Sequence, residues 1–348
     1  MSKLSEDPRI DPRLKKLFGK MPAMGGRDLS SREEVLERNG SEKALAGRAV
    51  MAAFAERADT EEIAPSAGLT VTTETFVSQP DGNSIKVQFV RPDFAGDRPP
   101  CVYYIHGGGM ATMSCFDGNY RAWARLIARS GVAVAMVDFR NAVVASSAPE
   151  VAPYPAGLND CVSGVRWLVA NGERLGIDTG RIIVAGESGG GNLTLATGLR
   201  LLRDGDIDLV QGLYALCPYI LGSWPDELSP SSVENNGIFL DLHNNQGRMG
   251  YGIEAFEAGD PLAWPGFAVV EDVKGLPPTV ISVNECDPLR DEGINFYRLL
   301  LSAGVPASCR QVMGTVHGTE IFPMACPDIS RETARSIAAF CQGETRPG

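Results

Sequence analysis

The chain has 348 residues, of which 44% are hydrophobic and 22% are charged. This composition is ordinary for a globular enzyme, and the length allows a large buried core without disulfide or metal staples. The formal net charge of −11 argues against nucleic acid and anionic membrane surfaces as main partners, because both repel an acidic protein.

The N-terminal stretch and the cysteines indicate a cytoplasmic protein. MSKLSEDPRIDPRLKKLFGKMPAMGG is polar and charged and has no apolar core of a secretory signal. Apolar runs such as GVAVAMV are too short to span a membrane. The eight cysteines include no CxxC pair and no Cys/His cluster with zinc spacing, so we interpret them as buried reduced thiols and expect no metal.

Residues 1 to about 60 are charged and rich in helix-forming residues. SREEVLERNGSEKALAGRAVMAAFAERA predicts helices, with Ser31 as an N-cap and Glu34 three residues later.

Strand-like segments begin at about residue 69. LTVTTETFVS and SIKVQFVRP alternate like half-buried strands on either side of the turn signal QPDGN. Further strands are predicted at CVYYIH, VAVAMVDF, RIIVAG, LVQGLYALCP, PTVISVNEC and ASCRQVMG. Helices are predicted near 119–130, 156–173, 189–203, 290–303 and 329–341. This alternation indicates an α/β fold, with a mostly parallel central sheet flanked by helices on both faces.

Residues 219–270 interrupt this alternation. The segment is rich in Asn, Gly and Pro and carries scattered aromatic residues. A long insertion after a strand of an α/β fold typically builds a lid or a substrate wall, so we predict a cap or lid insertion here.

Ser188 is surrounded by glycines between a predicted strand and a predicted helix, in RIIVAGESGGGNLTLATGLRLL. A tight turn with this G-x-S-x-G pattern lifts the serine hydroxyl clear of the sheet and directs the N–H of Gly189 into the same space. A phosphate-binding loop and a plain strand–helix turn are the alternatives, but neither G-x-G-x-x-G nor G-K-[ST] is present. We predict that Ser188 is a nucleophile.

His317 is the predicted base, because a serine hydroxyl needs an adjacent base at neutral pH. The chain has three histidines. His106 belongs to an HGGG motif, and His243 lies in the polar stretch DLHNN, where we interpret it as a solvated loop residue. His317 follows the last predicted strand, and loops at the carboxyl ends of strands are where this kind of sheet carries its ligand site.

Asp287 is the predicted partner of the base. It follows an apolar strand in VISVNECDPLRDEG and precedes a helix, and it fits the chain order Ser, then Asp or Glu, then His. Glu285 is a competitor two positions earlier. Asp291 and Glu292 belong to the first helical turn, where the helix dipole favours acidic residues anyway.

The glycines of YYIHGGGM are predicted to complete the site. Attack on an ester carbonyl places negative charge on its oxygen, and each preorganised N–H donor is worth about 3–4 kcal/mol in other enzymes. Consecutive glycines after a strand let the backbone approach a substrate without a side chain in the way.

Together these motifs resemble the hormone-sensitive-lipase-like esterases, bacterial family IV of the α/β-hydrolase superfamily. The resemblance covers roughly residues 85–340, through HGGGM, VDFR, YPAGLNDCVSGVRWLVAN, VAGESGGGNL, CDPLRDEG and the VHG that carries His317. It implies an α/β-hydrolase domain over 61–348, a helical cap over 1–60 and ester hydrolysis without a cofactor. It also implies that Gly108, Gly109 and Gly189 are oxyanion donors and that His106 braces the HGGG loop.

The motifs depart from the family pattern at two places. The usual G-D-S-A-G-G has Glu187 in place of the aspartate and Gly189 in place of the alanine; we assign Glu187 a supporting role. The usual D-Y-R-L-A-P-E becomes DFRNAVVASSAPEVAPYPAG, with extra residues in a loop near the site. This loop bears on substrate preference rather than on the chemistry.

The predicted function is hydrolysis of small-molecule esters with acetyl to butyryl chains. Bulky aromatic residues of the insertion would favour short chains if they line the acyl pocket, although they are otherwise expected to form the core of the cap: Tyr219, Trp224, Phe239, Tyr251, Phe256, Trp264 and Phe267. An amidase or a thioesterase would use the same triad. A receptor that has lost catalysis is a further rival, but an intact triad argues against it. The family resemblance suggests a homodimer through the edge strand before His317.

Overall fold

The structure is a computed structural model that describes residues 2–93, 98–345 and 347. Eight strands of the described chain form one sheet in the order β1-β2-β4-β3-β5-β6-β7-β8. The strands are β1 Leu69–Val77, β2 Ser84–Pro92, β3 Cys101–Ile105, β4 Ala133–Val137, β5 Ile182–Glu187, β6 Gly212–Leu216, β7 Thr279–Asn284 and β8 Ala307–Val312.

The sheet is parallel except at β2, which pairs antiparallel with both of its neighbours. The turn between β1 and β2 is short, so the two strands form a hairpin in which Val77 is opposite Ser84. From β3 onward every pairing is parallel, because helical crossovers return the chain to the same edge of the sheet. The predicted α/β fold with a mostly parallel sheet is confirmed.

The helices lie close to the predicted positions, with one break. Asn171 interrupts the helix expected over 156–173, because Asn and Gly are poor helix formers. The helices are α1 Lys3–Glu6, α2 Pro12–Phe18, α3 Arg32–Gly40, α4 Glu42–Glu56, α5 Gly118–Ala128, α6 Ala156–Ala170, α7 Gly172–Leu175, α8 Gly189–Asp204, α9 Ser231–Glu234, α10 Gln246–Tyr251, α11 Ile253–Glu257, α12 Val270–Val273, α13 Arg290–Ser302 and α14 Pro327–Gln342. None of those in the described chain is long and apolar enough to cross a membrane.

The two faces of the sheet carry separate hydrophobic cores. Alternation along β3 sends Tyr103 to one face and Tyr104 to the other. The first face is covered by α6, α8 and α13, and the second by α5 and α14. Strands β3 to β7 are buried on both faces, which explains why these strands are apolar along almost their whole length.

Helices α1 and α2 pack against the second face, whereas α3 contributes Val35 to the core of the first face. Phe18 of α2 is buried and contacts the rings of Phe54, Phe239 and Phe322. Ser31 caps α3 as expected, since its Oγ accepts the Glu34 N–H, whereas the Glu34 carboxylate accepts the N–H of Ser30. The contact of Phe18 with Phe239, and the hydrogen bond from the Asn245 amide to Leu29 O, bring the N-terminal helices beside the segment 219–270, which holds the short helices α9–α11.

Candidate active site

Ser188 lies at a strained turn between β5 and α8. Its backbone angles are φ 57° and ψ −120°, a conformation that costs a non-glycine residue about 1–3 kcal/mol. The surrounding backbone holds the turn: the Ser188 N–H donates to Leu216 O at 2.9 Å, and its carbonyl accepts the N–H of Asn192 and of Tyr219.

The glycines around Ser188 are required by close backbone contacts. A Cβ on Gly186 would lie 2.5 Å from the carbonyl oxygens of Ile105 and Gly190, and a Cβ on Gly190 would lie 2.0 Å from Ile105 O. A Cβ on Gly189 would lie 2.5 Å from Met110 N. The turn therefore packs directly on the backbone of β3 and of the HGGG loop.

The structure brings Ser188, His317 and Asp287 into one hydrogen-bonded chain. His317 Nε2 is 2.8 Å from Ser188 Oγ, and His317 Nδ1 is 2.7 Å from Asp287 Oδ2. In the tautomer that fits both contacts, Nδ1–H donates to the carboxylate and Nε2 accepts from the hydroxyl. The other carboxylate oxygen of Asp287 accepts the Leu289 N–H at 3.0 Å, which fixes its orientation.

The other candidate acids and the other loop histidine are engaged elsewhere. Glu285 accepts the Gly314 N–H, and Asp291 accepts the Ser231 N–H. Glu292 accepts the Ile220 N–H and the indole N–H of Trp224. The exposed His243 contacts Ser232 O through Nε2.

Asp287 makes His317 a stronger base than an isolated imidazole. Burial alone lowers the pKa of His317, but the facing Asp287 carboxylate outweighs burial, and the pKa lies well above its ordinary value of 6.5. An imidazole with a raised pKa can take the hydroxyl proton of Ser188 as that oxygen attacks a carbonyl.

The HGGG loop presents backbone N–H groups beside the serine. Gly108 and Gly109 have φ of 92° and 64°, which favour glycine, and both line the same cavity as Ser188 and His317. Gly109 N lies 2.7 Å from the position that a Cβ on Gly189 would occupy, so the loop and the start of α8 face one space. Gly189 is the first residue of α8, where N–H groups have no partner within the helix.

His106 is buried beneath this loop. Its Nδ1–H donates to Gly107 O at 2.9 Å, and its ring stacks on Phe139 at a centroid distance of 4.3 Å. Burial lowers the pKa of His106, which keeps the ring neutral. Its Nε2 is 3.7 Å from Asp138 Oδ1, outside hydrogen-bond distance.

Glu187 connects the serine turn to the HGGG loop. Its Oε1 accepts the Gly107 N–H at 2.7 Å and the hydroxyl of Tyr120, while Oε2 accepts the hydroxyl of Tyr104 at 2.6 Å. Burial raises the pKa of Glu187 to about 7, although these three donors favour the carboxylate. Sequence reasoning missed Tyr104, which lies on β3 just before the HGGG motif, and Tyr120, which lies in α5 where no motif marks it.

The cavity that contains Ser188 and His317 has a volume of about 900 Å³. Of the seven aromatic residues singled out in the insertion, Tyr219 and Phe239 line it. Tyr251 and Trp264 are buried in the core instead, and Phe267 is 38% exposed. The altered loop after β4 contributes residues 144–147 to the wall.

One further titratable group adjoins the hydrogen-bonded chain of Ser188, His317 and Asp287. Ligand atoms of Cys217, Asp287 and His317 all lie within 4.8 Å of one another, a spacing that a metal ion could bridge. Burial raises the pKa of Cys217 to about 11, so the thiol stays protonated and is a poor ligand. The imidazole of His317 is already bonded at both nitrogens.

Comparison with known proteins reveals close relatives. A family model described as alpha/beta hydrolase fold matches residues 102–321. Carboxylesterase NlhH of Mycobacterium tuberculosis is 33% identical over 260 residues, which are 74% of this chain and 77% of that protein.

Solved structures extend the similarity over almost the whole chain. Esterase Est22 in complex with p-nitrophenol has 69% sequence identity and a TM-score of 0.96, covering 98% of this chain and 100% of Est22. Brefeldin A esterase, a bacterial homologue of human hormone-sensitive lipase, has 35% identity and a TM-score of 0.84, covering 98% of this chain and 95% of its own.

We predict that replacing Glu187 by alanine lowers kcat for an activated aryl ester by about 10- to 100-fold, because the Gly107 N–H loses its anchor and the loop shifts. Glu187→Gln should retain most of the rate, because its amide oxygen can accept the same N–H and its amide nitrogen can donate to the hydroxyl of Tyr104. Steady-state kinetics on the two variants tests this prediction, after circular dichroism has shown that both are folded like wild type. Full activity of Glu187→Ala would contradict the assigned role.

Proposed function

This chain belongs to the hormone-sensitive-lipase-like esterases of the α/β-hydrolase family and is a carboxylic ester hydrolase, and we propose that it cleaves short-acyl esters through a Ser188–His317–Asp287 triad and an oxyanion hole in the HGGG loop. The observation that carries the proposal is the unbroken hydrogen-bonded chain from Ser188 Oγ to Asp287 Oδ2 at the wall of the cavity.

In the first half-reaction, His317 takes the proton of Ser188 as the serine oxygen attacks the ester carbonyl. Asp287 holds the imidazole in position and stabilises its charged form. The charge that develops on the carbonyl oxygen is stabilised by the N–H groups of Gly108, Gly109 and Gly189. His317 then protonates the leaving alcohol, and an acyl-enzyme remains on Ser188.

In the second half-reaction, water hydrolyses the acyl-enzyme. His317 accepts a proton from the water as its oxygen attacks the acyl carbon, and the same N–H groups stabilise the second oxyanion. Collapse of this intermediate releases the acid and returns the proton to Ser188. The residues named supply every proton transfer that the reaction requires.

The proposed preference for acetyl to butyryl chains depends on the apolar wall near the serine. Tyr219 and Phe239 line this part of the cavity together with Leu240, Leu242 and Phe322. Bulky rings at this wall leave room for a short acyl group. The rest of the cavity is then available to the alcohol half of the substrate.

Two further proposals concern the organisation of the molecule. We propose that residues 1–60 and 219–270 act as the cap of a catalytic domain over 61–348, as their mutual contacts at Phe18 and Phe239 favour. We also propose a homodimer through β8, which pairs with β7 and forms an edge of the described sheet.

The acyl preference and the nucleophile can be tested together with p-nitrophenyl esters from acetate to palmitate. We expect a maximum in kcat/KM at acetate to butyrate and a loss of at least about 10³-fold in Ser188→Ala. Ser302→Ala, at an exposed serine of α13, is the matched control and should behave as wild type. Equal rates on butyrate and long chains would contradict the short-acyl preference, and turnover of anilides but not esters would indicate an amidase.

The raised pKa of His317 predicts the pH dependence of the reaction. Because the neutral imidazole is the base, kcat/KM should rise with pH through the raised pKa, so that the lower limb lies above pH 6.5. Asp287→Asn should move this limb to lower pH, since the carboxylate that raises the pKa is gone, and should lower kcat by about 10³- to 10⁴-fold. If the lower limb of the pH profile of Asp287→Asn stays at its wild-type position, the proposed pairing of Asp287 with His317 is contradicted.

A further inference from the structure

One face of α4 lines the same cavity as Ser188. Arg48, Met51, Ala52 and Ala55 line the cavity, and their spacing of three or four residues places them on a single helix face. Arg48 precedes Ala55 by seven residues, which is about 10 Å along a helix axis. The cavity thus follows α4 outward from its packed C-terminal end, where a Cβ on Gly118 would lie 2.7 Å from Ala55 O.

The β1–β2 hairpin brings a second basic residue to the same cavity. Lys86 and Thr73 both line it. Thr75 is opposite Lys86 and Thr73 is opposite Gln88, so Thr73 and Lys86 are diagonal neighbours on one face of the hairpin. Lys86 adjoins the loop after β4, because its carbonyl accepts the Asp138 N–H at 3.0 Å.

Polar residues near Lys86 line the cavity, beside the apolar side chains of Met113, Phe116 and Val144. Ser114 and Ser147 line the cavity, and Asp138 fixes both: its carboxylate accepts the Ser114 hydroxyl at 2.7 Å and the Ser147 N–H at 2.7 Å. Ser146 and Thr112 lie on the same wall. We call Thr112, Ser114, Ser146 and Ser147 the polar arm of the cavity. Tyr219, Phe239 and Phe322 form its apolar wall.

Among the described residues, two cations of the cavity lining are free to pair with an anion. In the part of the chain that the structure describes, the side chains of Arg48 and Lys86 have no ion-pair or hydrogen-bond partner. The acidic residues of the lining are Asp117 and Glu187. Asp117 accepts the Ser114 N–H at 3.1 Å and Glu187 is held by three donors, so both carboxylates are engaged by groups other than the two cations.

We propose that the preferred substrates are esters whose alcohol half carries a carboxylate, which Arg48 and Lys86 bind at the outer end of the polar arm. The inference rests on the proposed function, since it assumes that the acyl half occupies the apolar wall. Ester cleavage then proceeds as described above and releases a short-chain acid and a hydroxylated carboxylate. The net charge of −11 opposes the approach of an anion, so any attraction of such a substrate comes from the two cations at the cavity.

The test compares three aryl esters: 4-acetoxybenzoate, its neutral isostere 4-acetoxybenzamide, and the p-nitrophenyl monoester of glutaric acid, whose carboxylate is on the acyl side. Each kcat/KM is divided by the rate constant for alkaline hydrolysis of the same ester, which removes differences in chemical reactivity. We expect wild type to favour the benzoate over the benzamide by about tenfold, chiefly through KM, and to lose this preference as ionic strength rises.

The variants identify the cations responsible. Arg48→Gln and Lys86→Gln should each reduce the benzoate-to-benzamide ratio by about three- to fivefold, and the double variant should bring it near one. Lys43→Gln removes the same charge from α4 at an exposed position outside the cavity lining and should keep the wild-type ratio.

Several outcomes would overturn the inference while leaving ester hydrolysis intact. A wild-type ratio near one, a ratio unaffected by both Gln variants, or a preference only for the glutarate monoester would each do so. Absence of turnover on all three esters by folded wild type would instead contradict the proposed function itself.

Discussion

The site depends on how closely the backbone at Ser188 packs against the end of β3 and the HGGG loop. A Cβ on Gly186, Gly189 or Gly190 would come within 2.5 Å or less of a backbone atom on a neighbouring segment. This packing holds Ser188 at φ 57° and keeps the start of α8 beside the loop. The proposed nucleophile and the proposed oxyanion donors are therefore positioned by main-chain contacts, which need no side chain to move during the reaction.

The two substitutions in the serine motif, Glu187 and Gly189, concern this same contact. The carboxylate of Glu187 reaches the Gly107 N–H, and Gly189 leaves no Cβ against Gly109 and Met110. The longer side chain of Glu187 holds the HGGG loop through the Gly107 N–H. The absence of a Cβ at Gly189 lets the loop pack closely against the start of α8. Gly189 is therefore explained by the lack of room for a Cβ beside the HGGG loop, and not by a need for backbone flexibility.

Sequence reasoning predicted the strands and helices from the pattern of apolar residues. It predicted Ser188, Asp287 and His317 from their motifs, their order along the chain and their positions at strand ends. It could not identify partners that only the tertiary structure brings together. Tyr104 and Tyr120 contact Glu187 from β3 and α5, and Glu292 binds the start of the 219–270 segment through Trp224. The first turn of a helix suits an acid in any case, so nothing in the local sequence marks Glu292 as a buried anchor.

Covalent labelling of Ser188 tests the central claim most directly. A fluorophosphonate reacts with a serine when an adjacent base activates the hydroxyl and an oxyanion hole stabilises the charge that develops. Mass spectrometry of the digested protein then locates the adduct. The account predicts a single adduct, on Ser188 within the peptide that contains GESGGG, and much slower labelling in Asp287→Asn. Labelling of another residue, or none in folded wild-type protein, would contradict it.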